Sequence, residues 1–283
     1  MLQDDEWCIT GRVWVWQLNQ KVYVAYRLIV AVGLVVWTAV DLMDESRTFY
    51  QDRVWVWFIF ATNWSFLLLT ITAVYQGVCV VYYTIRSPGG TDYISVDKMH
   101  TALKVQWLLQ NLSCNSAIVV TISYWSFIAF LDHSNFFMTD MSQLKHTLNT
   151  VYVLLDILIG ATPFRVFHML FTICLGSIYS LFNAVYFLND GTILEGRHYA
   201  YNVLDWGNPT EAIVTSVLCI LQSVLSQIIL YELFKIRTWI FYRIYFRVSD
   251  KSRDSELQSI MEEPAGYMTY LDKVAEEDTV TTQ

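Results

Sequence analysis

Charged side chains are scarce: Asp, Glu, Lys and Arg make up 16% of the 283 residues, against roughly 25% in an ordinary soluble domain. Hydrophobic residues make up 55%, and the two figures together describe a membrane protein. The charge that exists is unevenly spread. Residues 250–283 hold nine acidic and three basic side chains, a net −6 of the total −8. The acidity therefore belongs to the C-terminal segment and says nothing about a binding surface on the body; no nucleic-acid partner is expected. Cysteine is also sparse: Cys79, Cys114, Cys174 and Cys219 fall in apolar runs and Cys8 near the start. No pair stands in connecting loops to suggest a disulfide. The opening MLQDDEW is acidic and has no short apolar core before a small-residue cleavage site, so the first apolar run is expected to serve as its own targeting signal. No spacing among the five histidines resembles a metal motif such as H-E-x-x-H, and neither a metal nor a cofactor is expected.

Six apolar runs remain. They predict an all-α integral membrane protein with a bundle of six transmembrane helices at about 22–42, 54–85, 103–131, 146–161, 166–188 and 212–234. The second is longer than a ~30 Å hydrocarbon core requires at ~1.5 Å per residue, and must tilt or protrude. Thr162-Pro163 ends the fourth, because a residue before proline is driven out of the helical region. Asn208-Pro209-Thr210-Glu211 reads as the start of the sixth, with Asn208 as N-cap and Glu211 completing a capping-box-like arrangement.

An even number of crossings puts both termini on one side. By that count thirteen Lys and Arg fall on the side of the termini and only Arg47, Arg53, Lys145 and Arg197 on the other, with Arg27 inside the first run. The positive-inside rule then makes both termini cytoplasmic. Residues 1–21 are read as a cytoplasmic N-terminal segment. Residues 235–248, which carry Lys235, Arg237, Arg243 and Arg247 among aromatic side chains, are read as an interfacial helix on anionic lipids of the cytoplasmic leaflet. Residues 249–283 are read as a disordered acidic tail, offering a contact for a membrane or cytoplasmic partner. The compartment is a plasma membrane or an endomembrane.

The polar residues inside the apolar runs are the candidate site. His146, Asn149, Val153 and Asp156 share one face of the fourth helix at offsets of three, four and seven residues. In lipid such groups must face protein or a water-filled cavity. Gln106, Gln110 and Asn111 give the third helix a polar face expected to lie inside the bundle, and Asn63 adds to this interior on the second. The second and fourth helices run in the same direction, so Thr62, His146 and Asn149 belong to the same outer half of the membrane, with Asp156 near the midplane. That is the minimum geometry for a threonine nucleophile beside a polar activator. The alternative for each is plain: Thr62 bonding its own helix, His146 at an interface, Asn149 and Asp156 as interhelical bonds.

Several stretches, VYVAYRLIVAVGLVVWT, FIFATNWSFLLLT, KHTLNTVYVLLDILIGATPFRVFH, YFLNDGT with YNVLDWGNP, and ELFKIRTWIF, together resemble the Rolling stone family of multi-pass membrane proteins over most of residues 22–240. The resemblance implies a six-span protein acting in cell–cell fusion during muscle formation. A more distant resemblance is to the androgen-induced membrane threonine hydrolases of fatty-acid esters. It implies Thr62 of FATNW as nucleophile and places the catalytic histidine position on Asn149, with His146 one turn before it. Neutral Asn cannot act as a general base, so hydrolysis here would require His146 in that role. Three readings are therefore carried forward. The first is a fusion or membrane-organising protein without enzymatic activity, and the second is an intramembrane lipid-ester hydrolase using Thr62 and His146 with Asn149 and Asp156 in support. A channel or transporter comes third, for want of an internal repeat or a span broken at its centre.

Overall fold

The computed structural model describes residues 20–86, 100–128, 139–160, 162–193 and 196–262, with only the backbone for residue 242 and residues 244–262. The chain divides into two compact units, residues 1–235 and 236–283. Among the described residues there is no strand. Six long helices follow in order: α1 Gln20–Thr48, α2 Ala61–Arg86, α3 Thr101–Ser123, α4 Asp140–Ile159, α5 Met169–Leu188 and α6 Pro209–Glu262.

Several boundaries differ from the sequence reading, and each difference moves a polar residue. The first helix continues past residue 42 to Thr48, which sets Asp41 and Glu45 one turn apart on the same face. Gln51 and Asp52, at φ of 52° and 61°, then turn the chain back. The long second run is two elements: a 3-10 helix over Val54–Ile59, extended backbone at Phe60, then α2. Tyr179 of α5 holds this break by donating to the Ile59 carbonyl at 3.0 Å and accepting from the Ala61 N–H at 3.1 Å. The fourth helix begins six residues before His146, because Thr139 caps it by accepting from the Ser142 N–H at 3.2 Å. Asp156 consequently lies ~24 Å along a helix ~30 Å long, near its C-terminal end and not at its middle. At the start of α6 the Asn208 amide donates to Glu211 at 3.0 Å.

In the first unit α1 packs on α2, α2 on α3 and α3 on α4, with further contact of α2 to α4 and α3 to α5. Ala31, Leu34, Phe66, Leu69, Ala73, Cys114, Ala117 and Val153 form the centre of the packed interior. By contrast α5 buries only Thr172 and Asn183, leaving Leu170, Phe171, Ile178 and Leu181 exposed. An apolar surface of that extent belongs against lipid. Four segments, Gln20–Thr48, Ala61–Arg86, Val166–Leu188 and Pro209–Phe241, are long and apolar enough to cross a membrane. In the second unit Arg243 stacks its guanidinium over Trp239 at 5.3 Å, and Ile236, Trp239 and Ile240 are exposed.

A disordered tail from Ser249 is not what the backbone shows: it is helical to Glu262. Low hydropathy argued for a segment with nothing to bury, but Glu256, Leu257, Gln258 and Met261 are all strong helix formers. Pro264 stands two residues beyond the helix end, where a proline stop belongs. The rest of the tail, and residues 1–19 of the expected N-terminal segment 1–21, lie outside the described residues, while Gln20 and Lys21 open the first helix.

Two glycines give a contrasting test of this packing. A Cβ on Gly160 would stand 2.8 Å from the Asp156 carbonyl oxygen and 3.1 Å from Arg27 Nη2, whereas one on Gly33 would meet nothing within 4 Å. Gly160→Ala is expected to destabilise the protein by ~1–3 kcal/mol through overpacking. Gly33→Ala is expected to raise stability by ~0.5–1 kcal/mol through helix propensity. Denaturant unfolding in detergent micelles measures both.

Candidate functional site

The deepest polar feature is an ion pair between α1 and α4. Arg27 Nη1 lies 2.5 Å from Asp156 Oδ1, and both side chains are almost wholly enclosed, at 2% and 1% exposure. Each charge has further partners. Arg27 also donates to the Gln76 Oε1 at 2.9 Å and to the Tyr23 hydroxyl at 3.0 Å. Asp156 accepts from the Tyr26 hydroxyl at 3.0 Å and from the Gln110 amide at 2.6 Å. The Gln76 amide donates in turn to Gln110 Oε1. One connected network therefore ties α1, α2, α3 and α4 at one depth.

A second network ties three of these helices nearer their other ends. Lys145 of α4 is buried and donates to Asp41 at 2.8 Å, Glu45 at 2.6 Å and Asn63 Oδ1 at 2.8 Å. Trp57 donates its indole N–H to Asp41 at 3.0 Å and Tyr50 its hydroxyl to Glu45 at 2.8 Å. Asn63 closes the group by donating to the Trp57 carbonyl at 2.8 Å. Arg27 to Asp41 is ~21 Å along α1 at helical rise, so the two networks stand about that far apart.

Gln106, Gln110, Asn111 and Asn63 are buried, as are Thr62, His146, Asn149 and Asp156. Gln110 meets Asp156 as described, while Asn111 serves α6: it accepts from Gln227 at 3.1 Å and donates to the Trp107 carbonyl at 3.0 Å. Gln227 also accepts from Asn115 at 3.1 Å and donates to the Arg165 carbonyl at 2.9 Å. No hydrogen bond joins Thr62 to His146 or Asn149. Thr62 instead meets the Tyr201 hydroxyl at 3.3 Å. Burial pushes that phenol up to about 12, against the pull of its bond with Thr62. A phenol protonated at neutral pH does not draw a proton from threonine. The His146 ring lies flat against Tyr124, centroids 3.9 Å apart, and its Nδ1 has no partner, nor has Asn149 Oδ1. Thr62 and His146 do line one small polar cavity, of ≈ 20 Å³, with Glu45, Asn63 and Lys145. Asp156, four helices deep in its own network, is not among its walls.

Thr62 also lines a second, far larger cavity of ≈ 530 Å³, walled by α2, α3, α5 and α6 and roofed by Tyr201, Val203 and Leu204. Its walls are mostly apolar. Of the four cations expected at a membrane surface, Lys235 pairs with Glu232 at 3.2 Å, Arg243 stacks on Trp239 and Arg237 is buried. The Arg247 side chain lies outside the described residues. No three of His, Cys, Asp and Glu converge as metal ligands among the described residues.

Charges paired across long apolar helices, with polar amides bonded between them and apolar faces left outward, define an all-helical multi-pass membrane protein. The family model described as "Protein rolling stone" matches residues 11–252. The Drosophila melanogaster protein of that name is 31% identical over 219 residues, covering 69% of this chain and 80% of the relative. The chain belongs to the rolling stone family. No solved structure matches it.

The residues that sequence reasoning passed over are Arg27, Asp41, Glu45, Lys145, Gln76 and Tyr201. The usable signal was a lone Arg and a lone Asp in separate apolar runs, each needing the other. Arg27→Met or Asp156→Leu alone is expected to destabilise by ~3–5 kcal/mol, since each strands a buried charge. The double substitution is expected to recover most of that loss. A double-mutant unfolding cycle in micelles checks this; additive losses would mean that the pair is not coupled.

Proposed function

We propose a non-enzymatic six-span protein that acts in cell–cell fusion or membrane organisation from a plasma membrane or endomembrane, with both termini cytoplasmic. The observation that carries it is the use of the interior charges: Arg27 and Lys145 are bonded to Asp156, Asp41 and Glu45 between helices, which holds a scaffold together and commits these five charges to one another. Helices α3 and α4, 23 and 20 residues long, reach ~30 Å or more and so suffice to cross as the third and fourth spans. Their polar residues are turned inward, which is why composition alone separates them from the other four. Enclosure of Lys145 supports the proposed orientation, because it removes one of the few outer cations from the surface. The fusion role follows family kinship. The basic aromatic segment from Lys235 suits an anionic leaflet, and the acidic tail a cytoplasmic partner.

A second reading, intramembrane lipid-ester hydrolysis, draws on one observation: Thr62 stands at the wall between the apolar cavity and the polar cavity that holds His146. It requires a rearrangement that brings His146 to Thr62. A channel is disfavoured because the described interior cations meet carboxylates and not an open path.

The test uses cell-surface expression, a content-mixing fusion assay and fluorophosphonate labelling on the same cells. Thr62→Ala is expected to express and support fusion as the parent does, with no labelling in either. Labelling of the parent that both Thr62→Ala and His146→Ala abolish would replace the first reading with the second.

A further inference from the structure

The ≈ 530 Å³ cavity has walls that say what it takes. Its lining includes Thr, Ser, Asn, Gln and Tyr but no Asp, Glu, Lys, Arg or His among the described residues. A carboxylate or phosphate drawn in from the bilayer would have no counter-charge there, and burying an unpaired ion is prohibitive. The occupant is therefore uncharged. The lined stretches, from residue 61 to 71 on α2 and from 172 to 182 on α5, are each ~15 Å long at helical rise, half of a ~30 Å hydrocarbon core. That is the depth of one leaflet.

One wall is aromatic. The Trp64 ring lies 5.5 Å from that of Tyr179 and 5.2 Å from that of Phe182, centroid to centroid, and all three line the cavity. The rings stand edge to face and tilted, at interplanar angles of 78° and 44°, and make a rigid wall; a rigid ligand against it loses less conformational entropy on binding than a flexible chain does. The lining also includes small residues, among them Gly176, Ser116 and Ser223. The polar groups at the roof end are hydroxyls, Thr62 and Tyr201. Ser65 and Ser216, also in the lining, are buried with hydroxyl oxygens that have no hydrogen-bond partner. These oxygens have no exposed surface as they stand, so each would meet a ligand's oxygen by rotating its side chain into the cavity, which relieves the cost of an unpartnered buried hydroxyl.

From the absence of charge, the one-leaflet depth, the aromatic wall and the unsatisfied hydroxyls, we infer that this cavity binds a sterol-like lipid, an uncharged rigid body with a single hydroxyl, entering from the membrane. The inference rests on the chain spanning a bilayer and not on its role in fusion.

The full-length protein in nanodiscs of phosphatidylcholine is irradiated with a diazirine-bearing cholesterol, a diazirine-bearing phosphatidylcholine, or a diazirine-bearing fatty acid, and labelled peptides are mapped by mass spectrometry. The sterol probe is expected to label peptides of 61–71, 115–123, 172–182 and 215–223, and excess unlabelled sterol to suppress it. Gly176→Leu and Ser116→Phe, which fill the cavity from different helices, are expected to reduce that labelling by about tenfold or more. Labelling of the same peptides by phosphatidylcholine or fatty acid at equal yield, or sterol labelling that unlabelled sterol leaves unchanged, would overturn the inference. So would an absence of label in these peptides. The competition arm needs only the unaltered protein, so a variant that fails to fold does not decide the matter.

Discussion

The bundle depends on the pairing of Arg27 with Asp156. Either charge alone inside apolar surroundings costs several kcal/mol, and the pair offsets this only when its remaining donors and lone pairs are also filled. Here Tyr23 and Gln76 accept from two further donors of Arg27, and Tyr26 and Gln110 donate to the Asp156 carboxylate. The consequence is geometrical. A carboxylate and a guanidinium at 2.5 Å fix how far α1 can slide along α4, and two glutamines hold α2 and α3 to the same level. Gly160 belongs to the same constraint, because a methyl group there would crowd the guanidinium. The Lys145 network repeats the arrangement at the other ends of the helices. Between the two polar layers Val153 and Phe66 are fully buried, beside a hydrogen bond between Thr38 and Thr70 at 2.7 Å.

Helices α5 and α6 are held differently. Their links to the rest are neutral: Gln227 to Asn111 and Asn115, Gln222 to Ser123 at 3.1 Å, and Tyr179 to the break before α2. Neutral interhelical bonds are each worth about 1 kcal/mol or less, and they leave the space between these helices and α2 and α3 open. The contrast between a charged half and an uncharged half is thus also a contrast between a closed interior and a hollow one. The large cavity sits where the stronger bonds are absent.

Much of this was legible in the sequence. The stripe of His146, Asn149, Val153 and Asp156 is buried as its spacing demands, because polar groups on an apolar helix have nowhere else to go. The start of α6 at Pro209 was readable from its capping residues. What could not be read was partnership. Lys145 looked like a loop residue because the extra turn before it is set by Thr139, and Asp41 looked like a span end and Glu45 a loop residue because nothing local shows that α1 continues to Thr48. Thr62 and His146 line the same small cavity, yet proximity leaves rotation open. It is the rotation of each side chain, toward Tyr201 in one case and onto Tyr124 in the other, that separates them.

The distance in sequence between Arg27 and Asp156, 129 residues, has a bearing on how the protein is made. At ~5–20 residues per second, α1 emerges from the ribosome roughly ten seconds before the carboxylate that will neutralise it. During that interval its arginine must be kept in water, at a lipid headgroup or inside the insertion machinery. Arrival of the fourth helix is therefore the event that lets this arginine exchange those surroundings for its buried partner.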